Sequence, residues 1–345
     1  MKTIFIGHMG GGGIPLAGDS IKNYHLIKKL KAFIPDIKLI DTQNWKRNPI
    51  IFFNLLYTFF RNPNAKYFLS LSNRSAYEII KILKFISKEN RIFYFVIGGV
   101  LNKLLIEGKK NPKHYKKLEK IFVESKIMKR DLLKYGLNNV SVLPNFKIIP
   151  NIPITNNSNK KFKFVFLSRI TPTKGCDLIL ECVDKINKDF GPESYTIDFY
   201  GEIENDYKEE FISKINSLSN VEYKGFLDLR NIDNYNILKE YSAMLFPTYW
   251  PSEGCPGIVI DAYIAGLPIL ASDWNYNREY IKHKITGLIF EAKSELSLRN
   301  AIIDIIKEKI SLNELKNNVL KERDKYDIHK VLSKEFLINN GLVEG

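Results

Sequence analysis

Apolar residues in this chain gather into short, nearly continuous runs separated by longer stretches with helical periodicity, and the alternation continues to about Phe290. Short runs rich in Ile, Val, Phe and Tyr, bounded by Gly, Pro or Asn, predict strands covered on both faces. The helix-like segments between them predict βαβ units and parallel sheets. In the first half the pattern places strands near Thr3 to Ile6, Ile37 to Ile40, Tyr67 to Leu71, Ile92 to Ile97, Ile121 to Glu124 and Val140 to Leu143. The second half repeats it near Phe162 to Leu167, Thr196 to Tyr200, Val221 to Tyr223, Ala243 to Phe246, Pro268 to Ala271 and Leu288 to Phe290. Between the halves, Pro144 to Pro153 and the polar stretch Ile154 to Lys160 read as a linker. The expected fold class is α/β, with doubly wound parallel-sheet domains at residues 1–153 and 154–325. A C-terminal helix at 326–345 is expected to pack back on the first domain. Two such sheets place ligands at a cleft beside the C-terminal ends of their strands.

A chain of 345 residues suffices for two cores, and a 45% hydrophobic share with no dominant low-complexity tract excludes disorder as a description of the whole. Net charge is +14, but residues 1–150 hold 27 Lys and Arg against 9 Asp and Glu, whereas the remainder holds 25 against 29. The first half is therefore expected to face something anionic. No nucleic-acid motif accompanies the charge, so nucleic acid is not an expected partner. Lys28, Lys29 and Lys31, then a cluster from Lys103 to Lys120 accompanied by Leu101, Leu104, Leu105 and Ile106, suit an anionic membrane surface. Trp45-Lys46-Arg47 and the run Ile50 to Phe60 add residues suited to an interface. That run is too short to span a bilayer, and no signal peptide is evident. Cys176, Cys182 and Cys255 have no metal-ligand or redox spacing and fit a reduced cytosol.

The densest chemistry lies in Pro251-Ser252-Glu253-Gly254-Cys255-Pro256-Gly257-Ile258-Val259-Ile260-Asp261. Glu253 is expected in a loop and Asp261 about two turns inside the following helix, so two carboxylates reach separate points of an elongated polyol. Gly266 and Pro268 mark the helix end. After the strand at Phe162 to Leu167, Arg169 and Lys174 stand at a strand-to-helix junction, where two cations and helix N–H groups suit a diphosphate. In the first half, Gly10, Gly11, Gly12 and Gly13 follow the first strand and allow close backbone approach to a ligand, without the spacing of a dinucleotide fingerprint.

Arg169 with Lys174-Gly175, Glu253-Gly254-Cys255-Pro256 with Asp261, Ala265-Gly266-Leu267-Pro268 and Thr286-Gly287-Leu288 together resemble the C-terminal signature of the family 4 retaining glycosyltransferases. Val142-Leu143-Pro144-Asn145 is similar to that family's interdomain segment. The resemblance implies a GT-B fold, an acceptor-binding first domain and a nucleotide-sugar-binding second one. It implies that Arg169 and Lys174 hold the diphosphate, Glu253 the donor sugar and Asp261 the ribose. Gly254 and Pro256 would line the donor, with N–H groups at Gly257 and Ile258, and the glycine loop would close on the reacting centre. Two departures stand out: Asp261 replaces the usual Glu, and Gly98-Gly99 stands where many members carry a His.

The function so implied is retaining transfer of a sugar, from a UDP-sugar ahead of GDP-mannose, to a glycan hydroxyl; the basic first half and its expected membrane contact point to a lipid-linked saccharide in envelope or capsular polysaccharide synthesis as the acceptor. No metal or cofactor is expected, because the cations and helix N-termini carry the leaving-group charge. Expected partners are the nucleotide-sugar, the glycan acceptor and an anionic membrane. The expected location is cytoplasmic, at the inner face of the plasma membrane. Alternatives are a nucleotide-sugar epimerase, which needs no acceptor, and a non-catalytic nucleotide-sugar-binding protein.

Overall fold

The computed structural model describes residues 1–11, 13, 18–45, 47–151 and 161–344. They divide into two compact units, Met1–Lys147 with Asp327–Gly345, and Ile148–Tyr326. In the first, β1 (Thr3–Gly7), β2 (Lys38–Asp41), β3 (Lys66–Ser72), β4 (Arg91–Ile97), β5 (Lys120–Val123) and β6 (Val140–Val142) form a parallel sheet in the order β2-β1-β3-β4-β5-β6. Helices connect successive strands, so both faces are covered and a strand such as Arg-Ile-Phe-Tyr-Phe-Val-Ile is apolar almost throughout. Phe5, Phe68, Phe93, Phe95 and Phe122 fill one face of this core. The chain steps from β1 out to β2 and returns to β3, leaving a crevice above the C-terminal ends of β1 and β3.

The second unit repeats this logic with β7 (Phe162–Leu167), β8 (Tyr195–Tyr200), β9 (Val221–Tyr223), β10 (Ala243–Phe246), β11 (Ile269–Ser272) and β12 (Gly287–Phe290). Their order is β12-β11-β10-β7-β8-β9, again all parallel, so direction reverses between β7 and β10. Helices Cys176–Phe190 and Glu295–Ile306 close one face of the sheet. Cys176 and Cys182 lie in this core as free cysteines, and burial pushes both thiols well up, which keeps them protonated packing groups.

Three expectations need correction. The linker reading began too early: Phe146 is 1% exposed in the first core, and Lys147 pairs with Asp327, whose neighbour Ile328 donates its N–H to the Lys147 carbonyl at 2.9 Å. Prolines on either side hid an ordinary core aromatic. The proposed boundary between residues 153 and 154 lies outside the described residues. Helix Gly257–Ile264 starts only after Pro256, which forces the preceding residue out of helical geometry. Asp261 is therefore about one turn inside the helix, not two. Lastly, the apolar partners of the second lysine cluster largely face inward: Leu101 and Leu105 are buried, and Ile106 is exposed.

The C-terminal segment is two short helices, Ile328–Val331 and Lys334–Asn339, within the first unit. Leu332, Leu337 and Leu342 are fully buried in that unit's core. Among the described residues, no helix is long and apolar enough to cross a membrane.

Candidate functional site

In the second unit, the loops leaving β7 and β10 emerge side by side because those strands are paired. A 3-10 turn at Pro172–Lys174 hands the chain to helix Cys176–Phe190 through Gly175, at φ +84°. A Cβ at Gly175 would collide with the Pro247 carbonyl, so the two loops meet backbone to backbone. Tyr249 N–H donates to the Thr173 carbonyl at 2.9 Å and fastens them together. Gly175→Ala is expected to lower unfolding stability by about 2 kcal/mol or more, readable as a lowered denaturation midpoint.

This approach delivers Lys174 against Glu253. Nζ donates to Oε2 at 2.5 Å, with both side chains 9% exposed. Thr248 Oγ1 donates to the same oxygen at 2.9 Å, while Oε1 takes no hydrogen bond from a described residue. The turn carrying Glu253 is held on several sides. Glu253 N–H donates to the Trp250 carbonyl, Trp274 Nε1 donates to that carbonyl at 2.8 Å, and Asn275 Nδ2 donates to the Glu253 carbonyl at 3.1 Å. A buried pair of this kind costs several kcal/mol of desolvation per ion, so attraction and hydrogen bonds largely offset that cost. Its geometry fixes the carboxylate direction.

Arg169 differs from Lys174 in being exposed, its guanidinium lying over the Trp250 ring at 5.4 Å from the centroid. The loop therefore offers one caged cation and one open to solvent. Gly254 is buried, whereas Pro256, Gly257 and Ile258 are half-buried. The first N–H in helix Gly257–Ile264 to find a backbone acceptor is that of Val259, on the Pro256 carbonyl, so those of Gly257 and Ile258 lead the turn. Asp261 is 4% exposed and accepts from Tyr235 Oη at 2.5 Å. Burial, then the Asp261 charge, pushes the Tyr235 phenol far up, so it stays a donor.

The first unit gathers different groups above β1 and β3. Gly10 and Gly11 sit at positive φ, and Gly13 N–H donates to the Gly10 carbonyl at 3.0 Å. Asp41, at the end of β2, anchors the loop: Oδ1 accepts from Met9 N–H and Gln43 N–H, and Oδ2 accepts from Gly11 N–H at 2.7 Å. Gly12 lies outside the described residues. Where the resemblance leads one to look for a His, Gly98 stands at φ +78°, a conformation that favours glycine over histidine.

His8 follows β1 and pairs through Nδ1 with Asp19 Oδ2 at 3.0 Å, in the first turn of helix Gly18–Lys31. The Asp19 hydrogen bond raises the His8 pKa against the opposing effect of burial, and Asp41 adds to the rise. Burial works to raise Asp19, but its bond to His8 and its own backbone bonds hold it below the usual range. For a raised histidine, the stabilisation is complete below the ordinary imidazole value and is lost as pH rises through the folded value. Asp19→Asn is expected to move the His8 titration down, measured by NMR of the imidazole protons.

The structure thus brings Lys174 and Glu253 together and leaves Arg169 beside them on Trp250. Thr248, Trp250, Tyr235 and Asp41 were missed in the sequence. Only Asp41 offered a cue, as an acid closing a predicted strand beside a glycine loop.

The chain resembles known proteins in both sequence and fold. Over 159 residues it is 29% identical to the UDP-Gal:alpha-D-GlcNAc-diphosphoundecaprenol alpha-1,3-galactosyltransferase of Escherichia coli, covering 46% of this chain and 39% of that protein. The match thus spans well under half of that relative's length. By structure, Anabaena HepE in complex with UDP superposes with TM-score 0.72 at 14% identity, covering 99% of both chains. The lipopolysaccharide outer core galactosyltransferase WaaB, in its apo form, superposes with TM-score 0.71 at 15% identity, covering 99% of this chain and 100% of that one. Two six-stranded parallel sheets flanked by helices, in the company of these structures, make the fold GT-B. The family model described as glycosyl transferases group 1 matches residues 149–322, half of the sequence, and this chain belongs to that family.

Proposed function

We propose that this protein is a family 4 retaining glycosyltransferase that moves a sugar from a UDP-sugar to a hydroxyl of a lipid-linked glycan in cell-envelope polysaccharide synthesis. The observation that carries this reading is the buried Lys174–Glu253 pair beside exposed Arg169, above the switch point of the second sheet. Support also comes from the E. coli relative, whose name specifies UDP-Gal and a diphosphoundecaprenol-linked acceptor, and from HepE, whose structure holds UDP.

In this mechanism Arg169 grips the diphosphate through the N–H donors at the edge of its guanidinium plane, and Lys174 adds a charge held in place by Glu253. The N–H groups of Gly257 and Ile258 contribute further donors, with Gly254 and Pro256 shaping the turn. Glu253 Oε1 accepts from a hydroxyl of the donor sugar, which orients the anomeric carbon. Asp261 accepts from the ribose alongside Tyr235. As the bond from the anomeric carbon to the diphosphate oxygen breaks, negative charge grows on that oxygen and the cations stabilise it without a metal. The acceptor oxygen attacks on the face just vacated and passes its proton to the departing phosphate oxygen. A lipid-linked acceptor places the reaction at the cytoplasmic face of the plasma membrane, where the basic first unit meets anionic lipid.

The test combines the donor with acceptor and reads the new anomeric proton by NMR, with and without EDTA. The proposal expects the donor's configuration in the product and unchanged rates under chelation. An inverted product contradicts retention, and loss of activity restored by a divalent cation contradicts metal independence.

A further inference from the structure

Helix Pro49–Arg61 has an outer face without a partner. Ile50, Phe53, Tyr57 and Phe60, spaced three to four residues apart, are 75%, 66%, 63% and 67% exposed, and Phe52 beside them is 37% exposed. The inner face is firmly docked: Leu55, Thr58 and Phe59 are buried, Phe59 packs edge-on against Tyr67 at 5.7 Å, and Lys38 Nζ donates to Thr58 Oγ1 at 3.1 Å. The exposed face is thus fixed in place by the fold around it. Four large apolar side chains along one solvent-facing stripe exceed what scattered surface residues explain.

The charge around this stripe identifies what covers it. From Thr42 to Tyr77 there is no Asp or Glu, whereas Arg47, Arg61 and Arg74 are exposed cations; Lys66, in the same stretch, is turned inward and donates to the Leu342 carbonyl. Arg47 and Arg61 bracket the helix, are exposed, and form no ion pair with a described residue. An apolar stripe with a cation at each end suits the headgroup–acyl boundary of an anionic bilayer. Thirteen residues make a helix about 20 Å long, too short to cross the hydrocarbon core, so it lies in the plane of the interface. Its N-terminal end borders a cavity of about 300 Å³ lined by Gly11, Asp41, Gln43, Asn44, Asn48 and Ile51. Amide and carboxylate groups there match sugar hydroxyls, and the apolar stripe beside them matches a lipid.

We propose that the outer face of helix Pro49–Arg61 is the element by which this protein docks on an anionic membrane, with the cavity at its N-terminal end turned toward saccharide headgroups. This rests on the reading that the acceptor is lipid-linked, and it names the surface that meets the lipid.

The experiment sediments the full chain with vesicles of phosphatidylcholine alone, or with about one-third phosphatidylglycerol. It uses wild type, Phe53→Ser/Tyr57→Ser/Phe60→Ser and Arg47→Gln/Arg61→Gln. All substituted side chains are exposed, and unchanged thermal melting verifies the fold. Wild type is expected to bind the anionic vesicles at least about 10-fold more tightly than the zwitterionic ones, and each variant to lose about 10-fold or more on the anionic ones. Wild-type failure to bind, equal binding to both vesicles, or undiminished binding by the triple serine variant overturns the proposal. So does a concentration-dependent dimer in light scattering that the serine variant abolishes, since the face would then belong to a second copy. Transfer to a lipid-free acceptor saccharide separates the two claims. Activity there without vesicle binding removes only the docking surface, and vesicle binding through this face without any transfer removes only the proposed function.

Discussion

Glu253→Ala is expected to reduce sugar transfer by about 10²–10³-fold, measured as kcat/KM with donor and acceptor supplied. Two losses combine. In the proposed mechanism the sugar loses the acceptor atom at Oε1, and Lys174, which donates to Oε2 at 2.5 Å, loses the group that holds it. The remaining ammonium is left buried and unpaired, so stability falls as well, by about 3–5 kcal/mol. Lys174→Met/Glu253→Leu separates these effects. Packed apolar groups of similar size are expected to restore most of the stability while activity stays at the level of the single variant. Restored transfer in the double variant would show that the pair acts only as a structural brace.

Arg169→Ala is expected to lower kcat/KM by about 10²-fold with little change in thermal midpoint. The contrast with Glu253 follows from exposure. Arg169 is exposed and touches Trp250 through its guanidinium face, so truncation leaves no buried charge behind. Arg169→Lys is expected to recover little, because an ammonium offers neither the planar two-pronged donor nor the same stacking on indole. A calorimetric titration with UDP reads the binding share of the loss. Weakened UDP affinity parallel to the loss in kcat/KM places the contact in the ground state as well as the transition state.

Both sheets were legible in the sequence because a parallel strand covered on two faces is written as an uninterrupted apolar run. β7, β9 and β10 fall where the pattern puts them, and the other strands differ by about a residue at one or both ends. The partial failure at Pro144 to Lys147 has a local cause: prolines signal a linker, yet Phe146 turns into the core between them. The site was legible only in its charged members. Arg169, Lys174 and Glu253 stand next to strand ends and glycine turns, where charge in a predicted loop is conspicuous. Thr248 and Tyr235 gave no signal, because each acts through one hydroxyl on a carboxylate distant in sequence or hidden by a turn. The proximity of Lys174 to Glu253, 79 residues apart, needs the pairing of β7 with β10, which periodicity alone does not specify. Likewise, the run Ile50 to Phe60 is apolar whether it faces a core or a membrane. Only the docked helix separates buried Leu55 and Phe59 from exposed Phe53 and Phe60.

The most direct test of sugar transfer from a nucleotide-sugar held at Arg169, Lys174 and Glu253 is mass spectrometry of products formed by the purified protein. The reaction combines membrane extract with a panel of nucleotide-sugars, and Glu253→Ala runs in parallel. The predicted result is one added sugar mass on a lipid-linked glycan, from a UDP-sugar, absent with the variant. Conversion of a nucleotide-sugar without any acceptor, an equal product from Glu253→Ala, or UDP binding with no product across the panel would contradict it.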